Sequence, residues 1–322
     1  MKVRSILYWK FCLLLVVGVV QLIHGAPEKS GLEVRAEKGV FVVSEDGQTV
    51  FRYNRDAISR PDGSYPRAHY IHPLYATDGT LMTEDMPDDH PHHRGVFWAW
   101  TQLWVDGERI GDPWHLKGLR RHVTDVSVDV EDSFARLVCD VVWHTELLDT
   151  DAGGRDLVSE RAIVTVHPAE GENRRIDFEV RLQALQDNIK LGGSMNKKGY
   201  GGFSVRIPMP EDLSFSGSDV EPVVNRKAPA AANRWVDFSA SFTEETRSGL
   251  AIFTHPGNLG YPHGWTLRKA NSCQNPVYPG EQPVPLSATQ PLVLKYSLFL
   301  HGSDYDATEI NAAYQRYLNE VE

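Results

Sequence analysis

The sequence has few cysteines and no cluster of basic residues. Its 3 cysteines in 322 residues are too few for a disulfide-stabilised scaffold. A nucleic-acid-binding surface must neutralise phosphates with clustered Lys and Arg. The formal net charge is -10 and no Lys- or Arg-rich run is present, so the sequence shows no such surface. The sequence also lacks a Walker loop, a Gly-x-Ser-x-Gly elbow and a Cys-x-x-Cys pair, so the chemistries that depend on them have no support.

Helical patterns are also scarce. No glycine-rich loop joins a strand to a helix, which disfavours a Rossmann domain, and helices between the strands, which a TIM barrel needs, are missing. The composition, with 41% hydrophobic and 24% charged residues, is that of a globular protein. No internal repeat and no Ser/Gly linker divides the chain, so we predict a single domain over residues 27–322.

The first 26 residues have the layout of a secretory signal peptide. Positive residues precede an apolar run, and small residues follow it: Lys2, Arg4 and Lys10, then 11–23, then Gly25 and Ala26. The alternative is an uncleaved N-terminal anchor. A cleaved signal predicts a periplasmic or secreted protein that has no membrane contact after cleavage. Cys139 and Cys273 could pair in such an oxidising compartment.

After residue 26 the sequence is typical of β-strands almost throughout. Apolar runs at 40–43 and 49–53 flank Asp46-Gly47, which predicts a hairpin with a two-residue turn. Further strands are predicted at 123–130, 134–143, 162–166, 176–182, 235–242, 250–254 and 292–300. The run 134–143 is apolar enough to suggest a strand that is covered on both faces. We therefore predict an all-β fold, a large antiparallel β-sandwich.

One segment has the periodicity of a helix instead. Apolar residues recur at helical spacing between Ala307 and Val321. Asp306 suits the N-cap, and Glu309 favours the positive end of the helix dipole. We predict one C-terminal helix that packs on the outside of a sheet.

Histidine and tryptophan are concentrated between residues 69 and 122. Seven histidines and four tryptophans lie there: His69, His72, His90, His92, His93, His115 and His122, with Trp98, Trp100, Trp104 and Trp114. A core does not need so many imidazoles, because each buried ring requires hydrogen-bond partners. Such a stretch is typical of a site for a polar ligand, in which tryptophan faces stack on sugar rings.

The centre of this stretch is His90-Pro91-His92-His93-Arg94. Proline disfavours helix at the residue before it, so we expect an extended segment. Alternation would then place His90 and His92 on one face and His93 on the other.

Three interpretations of this motif stay open. His90 and His92 hold a metal ion together with a distant third ligand. Alternatively, one imidazole is a general acid or base and Arg94 binds a carboxylate or hydroxyl. In the third interpretation the loop is solvated, and its histidines bond to Asp88 and Asp89.

Other candidates lie outside this motif. Trp98 and Trp100, at positions i and i+2, share one face of a strand and either line a sugar platform or fill the core. Glu160 at a strand start could pair with a catalytic histidine. A second polar and aromatic loop is the candidate far wall of the cleft, with His255, Asn258 and Trp265 as its members.

Several of these segments resemble the PmoA-like family, which carries a methane-oxygenase name. The resemblance rests on His72-Pro73-Leu74-Tyr75, on residues 90–95 with Trp98 and Trp100, on Glu160-Arg161, on residues 201–206, on residues 255–258 and on residues 265–268. The chain departs from the family where Leu259-Gly260, and not a proline, follows Asn258. The resemblance implies a carbohydrate-active protein with a galactose-mutarotase-like supersandwich, in which histidines and a carboxylate handle sugar protons.

From these observations we predict an exported enzyme that acts on a sugar or oligosaccharide as a hydrolase, lyase or epimerase. The expected catalytic residues are His92, His93, Arg94, Glu160 and His255. The expected substrate-binding residues are His72, His90, Trp98, Trp100, Arg206, Asn258 and Trp265. No cofactor is expected, although a metal held by His90 and His92 is possible. The alternatives are a non-catalytic carbohydrate-binding protein and a metal-dependent oxidoreductase.

Overall fold

The structure is a computed structural model that describes residues 31–224, 227–230, 233–244, 246–303 and 305–321. The predicted signal peptide, residues 1–26, lies outside these ranges. Within them, no helix is long and apolar enough to cross a membrane. Cys139 and Cys273 are both free and buried, so the pairing left open by the sequence is not formed.

Strands account for most of the regular structure. In chain order they are β1 (Leu32–Glu37), β2 (Val40–Glu45), β3 (Gln48–Asn54), β4 (Tyr70–Leu74), β5 (Val96–Ala99), β6 (Gln102–Val105), β7 (Glu108–Gly111), β8 (Arg120–Glu131), β9 (Phe134–Thr145), β10 (Arg155–Val166), β11 (Arg174–Ala184), β12 (Ile189–Gly192), β13 (Gly202–Val205), β14 (Ser214–Gly217), β15 (Trp235–Ser241), β16 (Arg247–Thr254), β17 (Trp265–Thr266), β18 (Asn275–Pro276), β19 (Val284–Pro285) and β20 (Leu292–His301). A short 3₁₀ turn spans Thr150–Ala152, and the helix α1 spans Ala307–Glu320.

The strands of the described chain form two large antiparallel sheets and two small ones. The larger sheet has the order β14-β15-β16-β20-β11-β10-β9-β8, and the second has the order β1-β2-β3-β4-β5-β13. Smaller sheets have the orders β19-β12-β6-β7 and β17-β18. The prediction of an all-β antiparallel sandwich with one C-terminal helix is confirmed.

The predicted hairpin is confirmed in detail. Strands β2 and β3 pair with Glu45 opposite Gln48, which leaves Asp46 and Gly47 as a two-residue turn. Both turn residues have a positive φ, 50° for Asp46 and 77° for Gly47. A turn of this kind matches the twist of the flanking strands, and Asp-Gly tolerates it at low cost.

Strand β9 differs from its prediction. Its residues alternate between buried and half-exposed along the whole length, so the strand is covered on one face and not on both. The half-exposed face carries polar residues such as Arg136 and Asp140 among the valines. These side chains need water, and they decide which face the sheet leaves uncovered.

The main core lies between the two large sheets. Leu137, Val141 and Trp143 from β9 pack there with Phe51 from β3 and Trp98 from β5, all close to fully buried. Trp100 joins the same cluster, whereas Phe97 and Ala99 belong to a separate one. The prediction that Trp98 and Trp100 share a face is therefore confirmed, and that face is turned to the core.

The helix α1 covers the outer face of the larger sheet at β15, β16 and β20. Ile310, Tyr314 and Tyr317 bury themselves against Trp235 and Phe253. The N-terminus is closed by a capping box: Asp306 accepts from the backbone of Thr308 and Glu309, and Glu309 accepts from the backbone of Asp306.

Replacing the cap should loosen this helix. In Asp306→Ala, two backbone N–H groups lose their acceptor, and we expect the free energy of unfolding to fall by about 1 kcal/mol. Urea denaturation of the variant and of Asp306→Asn, which keeps a capping oxygen, measures the effect. A loss in both variants, or in neither, would contradict the capping role.

Candidate functional site

The histidine motif forms a tight turn and is not extended. The backbone N–H of His93 donates to the carbonyl of His90 over 2.9 Å, with Pro91 at the second position of the turn. The prediction of an extended segment is therefore wrong. Proline has a fixed φ that suits this turn position, and the turn stacks the rings of His90 and His93, whose planes differ by 8°.

Two contacts fix this turn to the sheets. Gly95 has φ +39°, and an added Cβ would collide with the carbonyl oxygen of Ile71, so only glycine lets the chain pass so close to β4. Arg206, which is 4% exposed, holds both oxygens of Asp89 at 3.0 and 2.9 Å. It also donates to the carbonyl of Ser272. Arg206, predicted to bind substrate, thus positions the loop that carries His90.

Histidines from two segments meet at this turn. The ring of His92 lies with its centroid 4.7 Å from His93 and 4.6 Å from His115. His90 stacks on His93 at 4.7 Å. These residues, His90, His92, His93 and His115, line one cavity of about 250 Å³, which we call the histidine pocket.

Other residues complete the walls of the histidine pocket. Trp114 packs edge-on against His93, with centroids 5.8 Å apart, and Tyr200 lies 4.9 Å from Trp114. Lys198 and Arg268 add two cationic groups to the lining. The pocket therefore combines imidazoles, aromatic rings and cations. Such a lining suits a polar ligand that is either uncharged or anionic.

Carboxylates orient two of the imidazoles. Asp112 accepts from Nδ1 of His115 at 3.0 Å, and Asp89 accepts from Nδ1 of His90 at 2.8 Å. Although burial by itself raises the pKa of Asp112, hydrogen bonds from His115 outweigh it and lower this pKa. Because Nδ1 carries the proton in each pair, Nε2 is left as the acceptor nitrogen.

The other two imidazoles are neutral at ordinary pH. Burial lowers the pKa of His92 to about 3, with the neighbouring His115 and His90 acting in the same direction. Burial also strongly lowers the pKa of His93, and its Nδ1 atom is buried without a hydrogen-bond partner. The lowered pKa makes both rings weak bases, so they contribute as neutral imidazoles that can donate and accept hydrogen bonds.

The spacing of His90 and His92 is relevant to the metal interpretation. The centroids of His90 and His92 are 5.6 Å apart, and their planes differ by 74°. Among the described residues, no group of three or more His, Cys, Asp or Glu side chains is placed to hold a metal ion.

Residues 41–315 match the model of a protein family of unknown function. This chain belongs to the DUF6807 family. No curated protein matches the chain. The resemblance to the PmoA-like family stays a prediction.

Arg94, predicted to be catalytic in this DUF6807 chain, lies outside the histidine pocket. Its guanidinium is fully buried and donates to both oxygens of Asp85, to the hydroxyl of Tyr70 and to the carbonyls of Ile58 and Tyr65. All of these partners belong to the protein, so the contacts of Arg94 are those of a structural residue.

Glu160 is also separate from the pocket, in the core between the sheets. Its carboxylate accepts from Nε2 of His69 at 3.0 Å, from the indole of Trp98 and from the indole of Trp143 at 2.5 Å. The hydroxyl of Tyr53 lies 2.6 Å from the other nitrogen of His69. The carboxylate therefore has a histidine partner, as predicted, but the partner is His69.

The field around Glu160 keeps it ionised. Burial by itself raises the pKa of this carboxyl, but the fields of His69 and Arg121, with hydrogen bonds from His69 and Trp98, lower it to about 2. Both Glu160 and His69 have side chains that are 0% exposed. Neither residue lines the histidine pocket.

The tryptophans predicted as sugar platforms are buried in the DUF6807 fold. Trp98 is 1% exposed, and Trp100 and Trp265 are 0% exposed. The indole of Trp100 donates to the carbonyl of Tyr278, and that of Trp265 donates to the carbonyl of Asn233. No ring face is available for stacking, because hydrophobic residues of the core cover all three.

The predicted far wall does not form as a unit. His255 lies 3.1 Å from the carbonyl of Val321, at the end of α1, and Asn258 bonds to the backbone of Lys295. His72 shares a hydrogen bond with Thr83. None of His72, His255 and Asn258 lines the histidine pocket, whose lining includes Thr266, Arg268 and Ser272 instead.

The DUF6807 pocket contains residues that were not predicted as site residues. These are Trp114, His115, Lys198, Tyr200 and Arg268, and Asp112 bonds to His115 from outside the lining. Two signals pointed to some of them: His115 and Trp114 lie in the histidine-rich stretch, and Arg268 ends a segment that carries the family resemblance. No local pattern identifies Tyr200 or Lys198, which reach the pocket through pairing of β13 with β5.

Proposed function

We propose that this DUF6807 protein is an exported carbohydrate-active enzyme that moves protons with the imidazoles of the histidine pocket. One observation carries the proposal: neutral imidazoles and carboxylate-oriented imidazoles line the same small cavity. Hydrolysis, elimination and epimerisation all require such a pair of proton carriers. The proposal covers these three reaction classes.

The size and lining of the pocket support a saccharide unit as ligand. A cavity of about 250 Å³ is at the small end for ligand sites and suits one ring better than a polymer segment. Lys198 and Arg268 supply donors for hydroxyl or carboxylate oxygens. The half-buried ring of Tyr200 offers an apolar face for sugar C–H groups.

The roles of the histidines follow from their partners. His90, whose Nδ1 is held by Asp89, is the base that accepts a proton at Nε2, and the neutral His92 and His93 hydrogen-bond the ligand. The hydrogen bond to Asp112 fixes the tautomer of His115. When His115 is protonated, it donates a proton to the ligand from Nε2, and the carboxylate of Asp112 stabilises the imidazolium. Asp112 is a positioning residue because it acts through His115.

An assay on a panel of plant and algal oligosaccharides tests this function. Protein without a His tag is incubated with each sugar, and mass spectrometry and NMR detect cleavage, elimination or epimerisation. In His115→Asn we expect kcat to fall by about 100-fold with a small change in KM, because a proton carrier is lost and the walls remain. Asp112→Asn should lower kcat less and shift the pH profile.

His144→Gln is the matched control. His144 also bonds to a carboxylate, with Nδ1 2.7 Å from Asp156, but it does not line the histidine pocket. Its activity should equal that of the wild type. Turnover of no sugar by the wild type, equal activity in His115→Asn, or activity that EDTA abolishes and one metal restores would refute the proposed acid–base function.

A further inference from the structure

A second and larger cavity adjoins the histidine pocket. Its volume is about 610 Å³, and Pro113 and Leu116 line it. The two residues between them, Trp114 and His115, line the histidine pocket instead. The segment 113–116 is therefore a wall that both cavities share. We call the larger one the arginine cavity.

The lining of the arginine cavity is strongly cationic. Its charged or ionisable residues are Arg55, Asp56, Arg67, Arg120, Arg121 and His122. Among them Asp56 is the acidic residue, in a chain whose formal net charge is -10. Arg120 is at the surface, where it forms an ion pair with Glu146 at 3.4 Å. The other arginines of the lining form no ion pair within the described part of the chain.

Arg67 is the most buried of these cations. Arg67 is 3% exposed, and its Nη2 atom donates to the carbonyls of Trp114 at 2.8 Å and Pro113 at 3.4 Å. The guanidinium lies 5.1 Å from the ring centroid of Phe97. Its Nε atom is buried and has no hydrogen-bond partner. Arg67 is thus held in place by neutral groups, with one donor unused.

The neighbouring arginines repeat this pattern. Arg121 donates from Nη1 to the carbonyl of Trp98 at 2.7 Å and stacks over Trp143, but its Nη2 atom is buried without a partner. The Nε atom of Arg55 is also buried and has no partner. Buried N–H donors of three guanidinium groups therefore lack an acceptor around one cavity.

This arrangement is unfavourable for the empty protein. Burial lowers the pKa of Arg67 well below its usual range, and the charges of Arg121 and Arg94 lower it further. Burial also lowers the pKa of Arg121, although the field of Glu160 opposes this. Buried cations are normally paired with a carboxylate, because an isolated buried charge is costly. A negatively charged ligand in the arginine cavity would balance these charges.

We propose that the arginine cavity binds an oxyanion, the carboxylate or sulfate group of a small ligand. A guanidinium presents paired N–H donors in a planar fork that fits the oxygens of such a group. The cavity is larger than a single ion needs. Leu119 and Val123 form an apolar part of its wall, against which the uncharged part of a small molecule can pack. This inference does not rest on the proposed function, since the residues differ.

Calorimetric titration of the whole protein tests the proposal. The probes are sodium glucuronate, sodium sulfate and glucose, at one ionic strength set with sodium chloride. We expect glucuronate or sulfate to bind and glucose, the uncharged sugar, not to bind. Glucuronate without sulfate would place the oxyanion on a sugar, and sulfate without glucuronate would identify a free ion. Titration is preferable to thermal shifts, because sulfate stabilises proteins in general.

Arg67→Met is the decisive variant, since it keeps the aliphatic stem and removes the charge. We expect the Kd for the anion to rise at least about tenfold. Arg161→Met is the matched control, because Arg161 is an exposed arginine, 54% accessible, outside the cavity. It should bind like the wild type.

A second variant covers the case in which Arg67→Met does not fold. Arg55→Met alters a half-buried residue of the same lining and should raise the Kd in the same direction. The proposal is overturned when neither anion binds the wild type, or when binding is equal in the wild type, Arg67→Met and Arg55→Met.

Discussion

Replacing Glu160 with alanine is expected to lower the free energy of unfolding by about 3–5 kcal/mol. The carboxylate is the acceptor for His69, Trp98 and Trp143, and all of these donors are buried. Without it, the donors lose their partner and the field that favours the charge of Arg121 disappears. Urea denaturation followed by tryptophan fluorescence and circular dichroism measures the loss.

Two further variants make this prediction specific. Glu131→Ala removes an exposed carboxylate at the end of β8 and should change the stability by less than about 0.5 kcal/mol. Glu160→Gln keeps one acceptor oxygen but turns an NH₂ group toward N–H donors, so its loss should lie between those of the other two. Equal stability of Glu160→Ala and Glu131→Ala would show that the buried network contributes nothing.

The pH dependence of unfolding gives an independent check on Glu160. Its pKa in the folded protein is about 2, below the ordinary value of 4.5, so the folded state favours the ionised form. The contribution is therefore fully present above about pH 4.5 and is lost as the pH falls toward 2. We expect the stability difference between wild type and Glu160→Gln to shrink across this window. A constant difference would mean that ionisation of Glu160 is not the cause.

Arg94→Met should be about as damaging, with a loss of about 3–5 kcal/mol. The substitution leaves Asp85 without its bidentate partner and Tyr70 without a donor, while two backbone carbonyls lose their hydrogen bonds. Methionine keeps the stem, so lost packing is a small part of the effect. The measurement is the midpoint and slope of urea unfolding.

The exposed pair Arg161–Asp140 provides the comparison. Its contacts are as short as 2.7 and 2.9 Å, yet its side chains are 54% and 37% exposed. Arg161→Met should therefore cost less than about 1 kcal/mol. Arg94→Lys keeps the charge but loses the planar fork, and we expect a loss between the two. If Arg94→Met were as stable as Arg161→Met, the burial of the Arg94–Asp85 pair would not contribute to the free energy of unfolding.

Local patterns predicted much of the fold. The hairpin at residues 40–54 depends on Asp46-Gly47, and the helix α1 depends on its apolar period and on Asp306, all of which are signals within a few residues. Period-two alternation also holds in β10, where Glu160 falls on the same buried face as Ala162 and Val164. That register places Glu160 in the core, and the alternation was readable in the sequence.

The candidate site was less predictable, because distant segments build it. Pro91 was taken to favour an extended segment, whereas the ion pair between Arg206 and Asp89 secures a turn whose geometry proline equally allows. Trp98 and Trp100 were correctly predicted to share a face, but the sequence does not state whether that face meets solvent or a second sheet. Nothing local distinguishes Arg67, which pairs with neutral carbonyls 46 and 47 residues away.

The order of the larger sheet has a consequence for how the protein meets copies of itself. It ends in the four-residue β14 on one side and the twelve-residue β8 on the other. A long free edge invites strand addition and aggregation, and short or charged edges discourage it. At its exposed positions β8 carries Asp125, Asp129 and Glu131 toward one end and Arg120 at the other. A second molecule that docked along this edge would have to strip water from these charged groups, which disfavours the contact.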